Sequence, residues 1–114
     1  MKKILLIGAA LLGLLSSPVF AEEHIDSALE HTNMAIQYGK AEHNQILVTH
    51  LKEALAQAKL ADALVDGESK THVDAAIKSL ESALEHGKMR GKDHVKLATK
   101  AAQAAAEHLK AGNK

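Results

Sequence analysis

Apolar side chains return along this chain with a seven-residue rhythm. With Ile25, Leu51, Val73 and Val95 set at position a, position d holds Ala28, Ala35, Leu47, Ala54, Ala76, Ala83, Ala98 and Ala105. Position e is largely apolar too, with Leu29, Ile36, Leu55, Ile77, Leu84 and Ala106. A stripe of a, d and e is wide enough to be the buried face of a bundle helix. Glycines at 39, 67, 87, 91 and 112 interrupt a sequence otherwise rich in good helix formers. Read as helix ends, they predict helices over about 24–38, 42–65, 71–86 and 92–111. Asp66-Gly67-Glu68-Ser69 is then the central linker, with Ser69 or Thr71 as the cap of the third helix. The fourth helix, through Ala101-Ala102-Gln103-Ala104-Ala105-Ala106, packs small residues and promises modest stability.

The two halves resemble each other. His24-Ile25-Asp26-Ser27-Ala28-Leu29 aligns with His72-Val73-Asp74-Ala75-Ala76-Ile77, and the match runs on through Ala35/Ala83 and Gly39-Lys40/Gly87-Lys88. After the turn His43 aligns with His94 and Ala54 with Ala105. The expected fold is all-α: an up-down-up-down antiparallel four-helix bundle made of two related hairpins, about 24–65 and 71–111, neither of which buries its apolar face alone.

Residues 1–21 read as an export signal. Lys2 and Lys3 precede an apolar run from Ile4 to Leu15, and Val19-Phe20-Ala21 has the small residues a signal peptidase needs. The apolar run is short for a membrane span, and Glu22-Glu23-His24 follows at once. The expected mature chain is 22–114, one domain in the bacterial periplasm, with no membrane association after cleavage. The absence of cysteine removes disulfides and thiolate ligands together. Of 14 basic side chains two lie in the leader, which leaves 12 against 14 acidic, and Tyr38 is then the only aromatic. Such a chain has neither the charge nor the stacking surface of a nucleic-acid binder. It carries no His-Glu-x-x-His, no Glu-x-x-His and no haem-attachment motif, so no enzyme is expected.

Histidine changes the picture. There are eight, and in the heptad frame all fall at position g: His24, His31, His43, His50, His72, His86, His94 and His108. With random phase a second histidine on a helix would match the first about one time in seven, so four matches arise by chance roughly once in two thousand. In antiparallel pairing, g positions of neighbouring strands face each other. The first turn centres between Lys40 and Ala41, setting His31 level with His50, Tyr38 with His43 and His24 with Gln57. The second centres on Arg90, setting His86 level with His94 and His72 with His108.

Neutral imidazoles donate to Cu²⁺, Ni²⁺, Zn²⁺ and Co²⁺, and two or more must converge on one ion. Seven residues along one helix is about 10 Å of rise, an awkward reach for two ligands of one ion. Facing helices with axes about 8–10 Å apart bring two imidazoles together. Six histidines follow an acid directly (Glu23, Glu30, Glu42, Glu85, Asp93 and Glu107), but those acids point about 100° away around the helix and read as outer-sphere groups. Glu53 and Glu68 share a face with His50 and His72 and are better candidate oxygens. Met34 and Met89 read as ordinary gap-fillers, too sparse for a thioether Cu(I) site.

The sequence resembles the periplasmic small metal-binding protein family, histidine-rich four-helix bundles of ammonia-oxidising bacteria. The resemblance is carried by Leu29-Glu30-His31 through Ala35 to Gly39, by Ala83-Leu84-Glu85-His86-Gly87 and by Lys92-Asp93-His94. It implies a monomeric bundle that takes up copper and other divalent ions for sequestration, buffering or tolerance. Family members are richer in histidine; Tyr38, Gln57, Ser79 and Ala101 occupy g positions where more would be expected, so fewer ions are expected here. Two other readings stand beside this one. One is a structural or partner-binding bundle of the cell envelope, with histidines merely edging the core. The other is a pH sensor whose facing histidines repel once protonated.

Overall fold

The computed structural model describes residues 18–113, and the expected leader up to residue 17 lies outside them. Four helices follow one another: α1 (Pro18–Lys40), α2 (Asn44–Asp62), α3 (Gly67–Met89) and α4 (Lys92–Gly112). Sequence neighbours pair antiparallel within the hairpins α1/α2 and α3/α4, and α1 also packs on α4 and α2 on α3, which closes a square. This is the expected bundle. Among the described residues there is no strand, and no helix is long and apolar enough to cross a membrane.

The core follows the heptad frame. Ile25, Leu51, Val73 and Val95 are buried, and so is every residue assigned to position d. The bulkier e residues Leu29, Ile36, Leu55, Ile77 and Leu84 pack half-buried at its edge. Two threonines also enter the core. Thr32 and Thr99 donate their hydroxyls to the carbonyls of Ala28 (2.7 Å) and Val95 (2.8 Å), so neither leaves a buried donor unpaired.

Helix boundaries differ from expectation because three of the glycines are not terminators. Gly39, Gly87 and Gly112 lie inside the last turns of α1, α3 and α4 and are buried. A Cβ on Gly39 would collide with the Thr99 hydroxyl of α4, and one on Gly87 would sit 3.0 Å from Val48 Cγ2 of α2. These two positions, which the sequence repeat aligns, let the hairpins approach each other at the end of the bundle that holds both hairpin turns. What stops α1 is Glu42, in the left-handed region at φ 61°. The His43 amide donates to Tyr38 O and the Glu42 amide to Gly39 O, the paired bonds of a Schellman end without its usual glycine. Arg90 (φ 62°, ψ 176°) ends α3 in a region that glycine tolerates far better.

The expected linker shrinks as well: α3 starts at Gly67, and Asp66 precedes it. Neither Ser69 nor Thr71 caps it. Ser69 donates to the Gly112 carbonyl (2.5 Å), satisfying an acceptor at the end of α4, and Thr71 bonds back to Gly67 O. At its other end α1 begins earlier than expected, with Pro18 in a first turn that tolerates its missing N–H and with Ala21 buried.

Lys70 fastens the α2–α3 joint, donating to Asp62 Oδ2 (3.0 Å) and to the Asp62 carbonyl, with Asp74 3.9 Å away. Burial pushes the Asp62 carboxyl up, but hydrogen bonds with Asp74 and Lys70 and the ammonium charge outweigh it and hold it below its ordinary value. Asp74 is pushed up, first by its hydrogen bond with Asp62, then by burial and the Asp62 charge. A carboxyl raised in this way favours the fold while protonated, and that contribution is lost as pH rises through its folded value. Asp74→Asn is therefore expected to raise the unfolding temperature at pH 7, with the gain vanishing in acid where Asp74 is protonated anyway. Thermal melts of both proteins across that range check it.

Candidate metal centre

The histidines, all at position g, form two rows, one on each hairpin. Because α1/α2 and α3/α4 are opposite edges of the square, the rows lie on opposite sides of the bundle. Seven of the eight histidines are half-buried and His43 is exposed, as g positions flanking an a/d core demand.

On the first row His31 and His50 bring their Nδ1 atoms to 3.1 Å. On the second, His86 and His94 bring theirs to 3.2 Å. In both pairs the rings are tilted by less than 30°, with centroids 5.3 and 5.4 Å apart. Ring atoms lie about 1.13 Å from the centroid of a five-membered ring with bonds of about 1.33 Å. Two imidazoles pointing Nδ1 straight at Nδ1 would then have centroids about 5.4 Å apart at these spacings. The rings accordingly meet head to head, edge on, and do not lie face over face. One proton lies between the two nitrogens, so one ring donates and the other accepts. His72 and His108 face each other more loosely, with centroids 6.4 Å apart.

The remaining two histidines lack an imidazole partner of their own. His24 donates from Nδ1 to Gln57 Oε1 at 2.8 Å. His43 meets the edge of Tyr38, centroids 6.1 Å apart, while the face of Tyr38 stacks on His50 at 5.7 Å and 10°. That stacking was not foreseen from the sequence, where Tyr38 was set level with His43 alone. The periodicity carried a signal for it, since Tyr38 stands at a g position one heptad beyond His31.

The donor set can be tested against an ion. Imidazole nitrogens bind at about 2.0–2.1 Å, so two of them 3.1–3.2 Å apart subtend an angle of about 100° at a shared ion. That value falls between square-planar and tetrahedral ligation. An ion on both Nδ1 atoms needs the proton of the donating ring moved to its Nε2, a change of tautomer that releases no net proton. Each pair supplies two ligands only. Among the described residues no three His, Asp or Glu side chains come together to hold an ion. Glu53 and Glu68, the expected oxygens, are exposed and do not complete a group, as are all six acids that precede a histidine. Water is then the remaining ligand. His72 and His86 are fourteen residues apart, about 21 Å along α3, beyond the Debye length of about 8 Å, so ions at the two ends of that row are expected to bind independently.

Gln57 shows what the row lacks. It already touches His24, so Gln57→His is expected to create a fourth pair and raise the number of ions bound by one. Metal analysis after equilibrium dialysis of the variant and the parent checks this.

Beyond the geometry, the model of a family described as small metal-binding protein matches residues 1–112. A search of curated proteins finds no match.

Proposed function

We propose that the chain, which belongs to the small metal-binding protein family and so is a binder of metal ions, carries divalent transition-metal ions as cargo on paired imidazoles. Copper(II) comes first, and Ni²⁺, Zn²⁺ and Co²⁺ second. The ligands are His31 with His50, His86 with His94 and His72 with His108, with water completing each shell. His24 and His43, which have Gln57 and Tyr38 opposite them, are left outside the three sites. The observation that carries this reading is the head-to-head meeting of Nδ1 atoms at 3.1 and 3.2 Å on both hairpins. The protein is a monomer of the periplasm, exported by a leader over residues 1–21, and it sequesters or buffers metal without catalysis. A spread of independent two-histidine sites suits buffering, because it releases ions more readily than a closed four-ligand cage.

A second reading draws on the absence, among the described residues, of any three-ligand group. It makes the bundle a partner-binding protein of the cell envelope, with histidines that only seal the edge of the core. The two readings part on pH. Imidazoles ordinarily protonate near pH 6.5, and each proton that an ion must displace costs about tenfold in affinity per pH unit below that. Two-histidine sites are expected to lose at least tenfold in Cu²⁺ affinity between pH 7.5 and pH 5.5. Affinity that stays flat over this range means the histidines are not the ligands.

A further inference from the structure

A methionine that fills a gap in a core is buried, and Met89 is 53% exposed. Met34 is half-buried and lies outside the core cluster. The sequence-based assignment of both as gap-fillers is therefore wrong for Met89 and unsupported for Met34. Their positions share something else: each stands three residues after a paired histidine, Met34 after His31 and Met89 after His86. Residues three apart are neighbours on a helix surface, with Cβ atoms about 5–6 Å apart. Helical side chains lean toward the N-terminus, so each covers the turn before its own Cα. Met34 is thus placed over the turn of His31, and Met89 over the turn of His86.

Those turns carry the two pairs whose Nδ1 atoms meet head to head. The looser pair, His72 and His108, has Ala75 and Ala111 at the corresponding places. No carboxylate completes a group of three with either close pair; Glu53 stands three residues after His50, but Leu97 holds that place after His94, so a thioether is the one donor that both close pairs share at this spacing. Thioether sulfur is soft and flexible; it selects Cu(I) and adds little for borderline or hard divalent ions.

We propose that His31, His50 and Met34, and likewise His86, His94 and Met89, are two sites for soft monovalent ions, Cu(I) or its redox-inert counterpart Ag(I), and that His72/His108 is not. This rests on the metal-binding role given above to the same histidine pairs. It extends the cargo to a second charge state and divides three sites of similar outline into two kinds.

The test titrates the protein and its Met34→Leu, Met89→Leu double variant with Ag(I) and, separately, with Zn(II). Leucine keeps the volume and apolar character of both side chains, so folding is preserved. The parent is expected to bind two Ag(I), with the methyl resonances of Met34 and Met89 shifting as they load. The variant is expected to bind Ag(I) at least about tenfold more weakly while its Zn(II) affinity stays the same. Equal Ag(I) affinity in parent and variant, or unmoved methyl resonances, overturns the proposal. If Zn(II) binds at the histidine pairs but Ag(I) does not, the soft-metal sites fall and the divalent reading stands. If neither ion binds the parent, both fall.

Discussion

A chain carrying His31→Ala, His72→Ala and His86→Ala together is expected to lose specific Cu²⁺ binding while keeping its helix content and its fold. Each substitution removes one of the two protein ligands from a different pair. Loss of a mere outer-sphere partner at a metal site costs about 10–100-fold in affinity, so removal of one of only two direct ligands is expected to cost at least a hundredfold at each site. The fold survives because these histidines stand half-buried beside the core and are not part of it, and because alanine is the best helix former. A companion variant, His24→Ala with His43→Ala, removes two histidines that face Gln57 and Tyr38. It is expected to bind as many ions as the parent. Calorimetric titration of the three proteins distinguishes paired histidines from histidine content: equal losses in both variants would mean that number and not pairing governs uptake.

The largest effect on stability is expected at Gly39. A Cβ there overlaps the Thr99 hydroxyl, with Thr99 Cβ at 3.3 Å and Leu47 Cδ1 at 3.4 Å behind it. Gly39→Leu must push α1 and α4 apart at a place where Thr99 is also bonded to Val95 O. Overpacking of this kind costs about 1–3 kcal/mol and occasionally more, and for a domain of this size each kcal/mol moves the melting temperature by about 4–8 °C. A fall of roughly 10 °C or more is expected. Gly39→Ala is a milder version, governed by the same contact, and Thr99→Ala removes the atom it strikes. The double variant is therefore expected to recover part of what Gly39→Ala loses, a coupling that a double-mutant cycle measures directly. Additive losses would mean that Gly39 is required for its backbone alone.

The contrast between Gly39 and Glu42 shows what could and could not be read from the sequence. Burial of Ile25, Leu51, Val73 and Val95 was legible because a seven-residue apolar period has one solution in a bundle of antiparallel helices. The facing of His31 with His50 and of His86 with His94 was legible for the same reason, since level and phase follow from the two turn centres. The terminators were not. Glycine at 39 and 87 looks like a helix stop, yet it serves close approach between hairpins, a requirement set by side chains far along the chain, Thr99 of α4 for Gly39 and Val48 of α2 for Gly87. The left-handed ends fell to Glu42 and Arg90, residues with no intrinsic preference for that conformation. Ser69 was misread likewise, because its partner, the Gly112 carbonyl, arrives only when the bundle closes.

Within the site, the sequence conveyed which rings face each other but not how. Head-to-head contact of Nδ1 atoms, the looser spacing of His72 and His108, and the stacking of Tyr38 on His50 depend on rotamers, which periodicity does not encode. The same holds for Met89: heptad position c marks an outward face, but only its 53% exposure shows that it packs into no core. Conversely, Glu53 and Glu68 share a helix face with a histidine and still complete no group with a pair.

Calorimetric titration of the protein with Cu²⁺ at pH 7.5, with thermal unfolding followed in parallel, decides whether paired imidazoles hold metal ions. Saturable binding of three ions at micromolar or tighter affinity is expected. The melting temperature is expected to rise with it, since free ion at a hundred times the dissociation constant stabilises a site by about 2.7 kcal/mol. Weak, unsaturable uptake with no thermal shift would mean that the pairs hold no ion, and would leave the histidines as the polar edge of a bundle whose role lies with a protein partner.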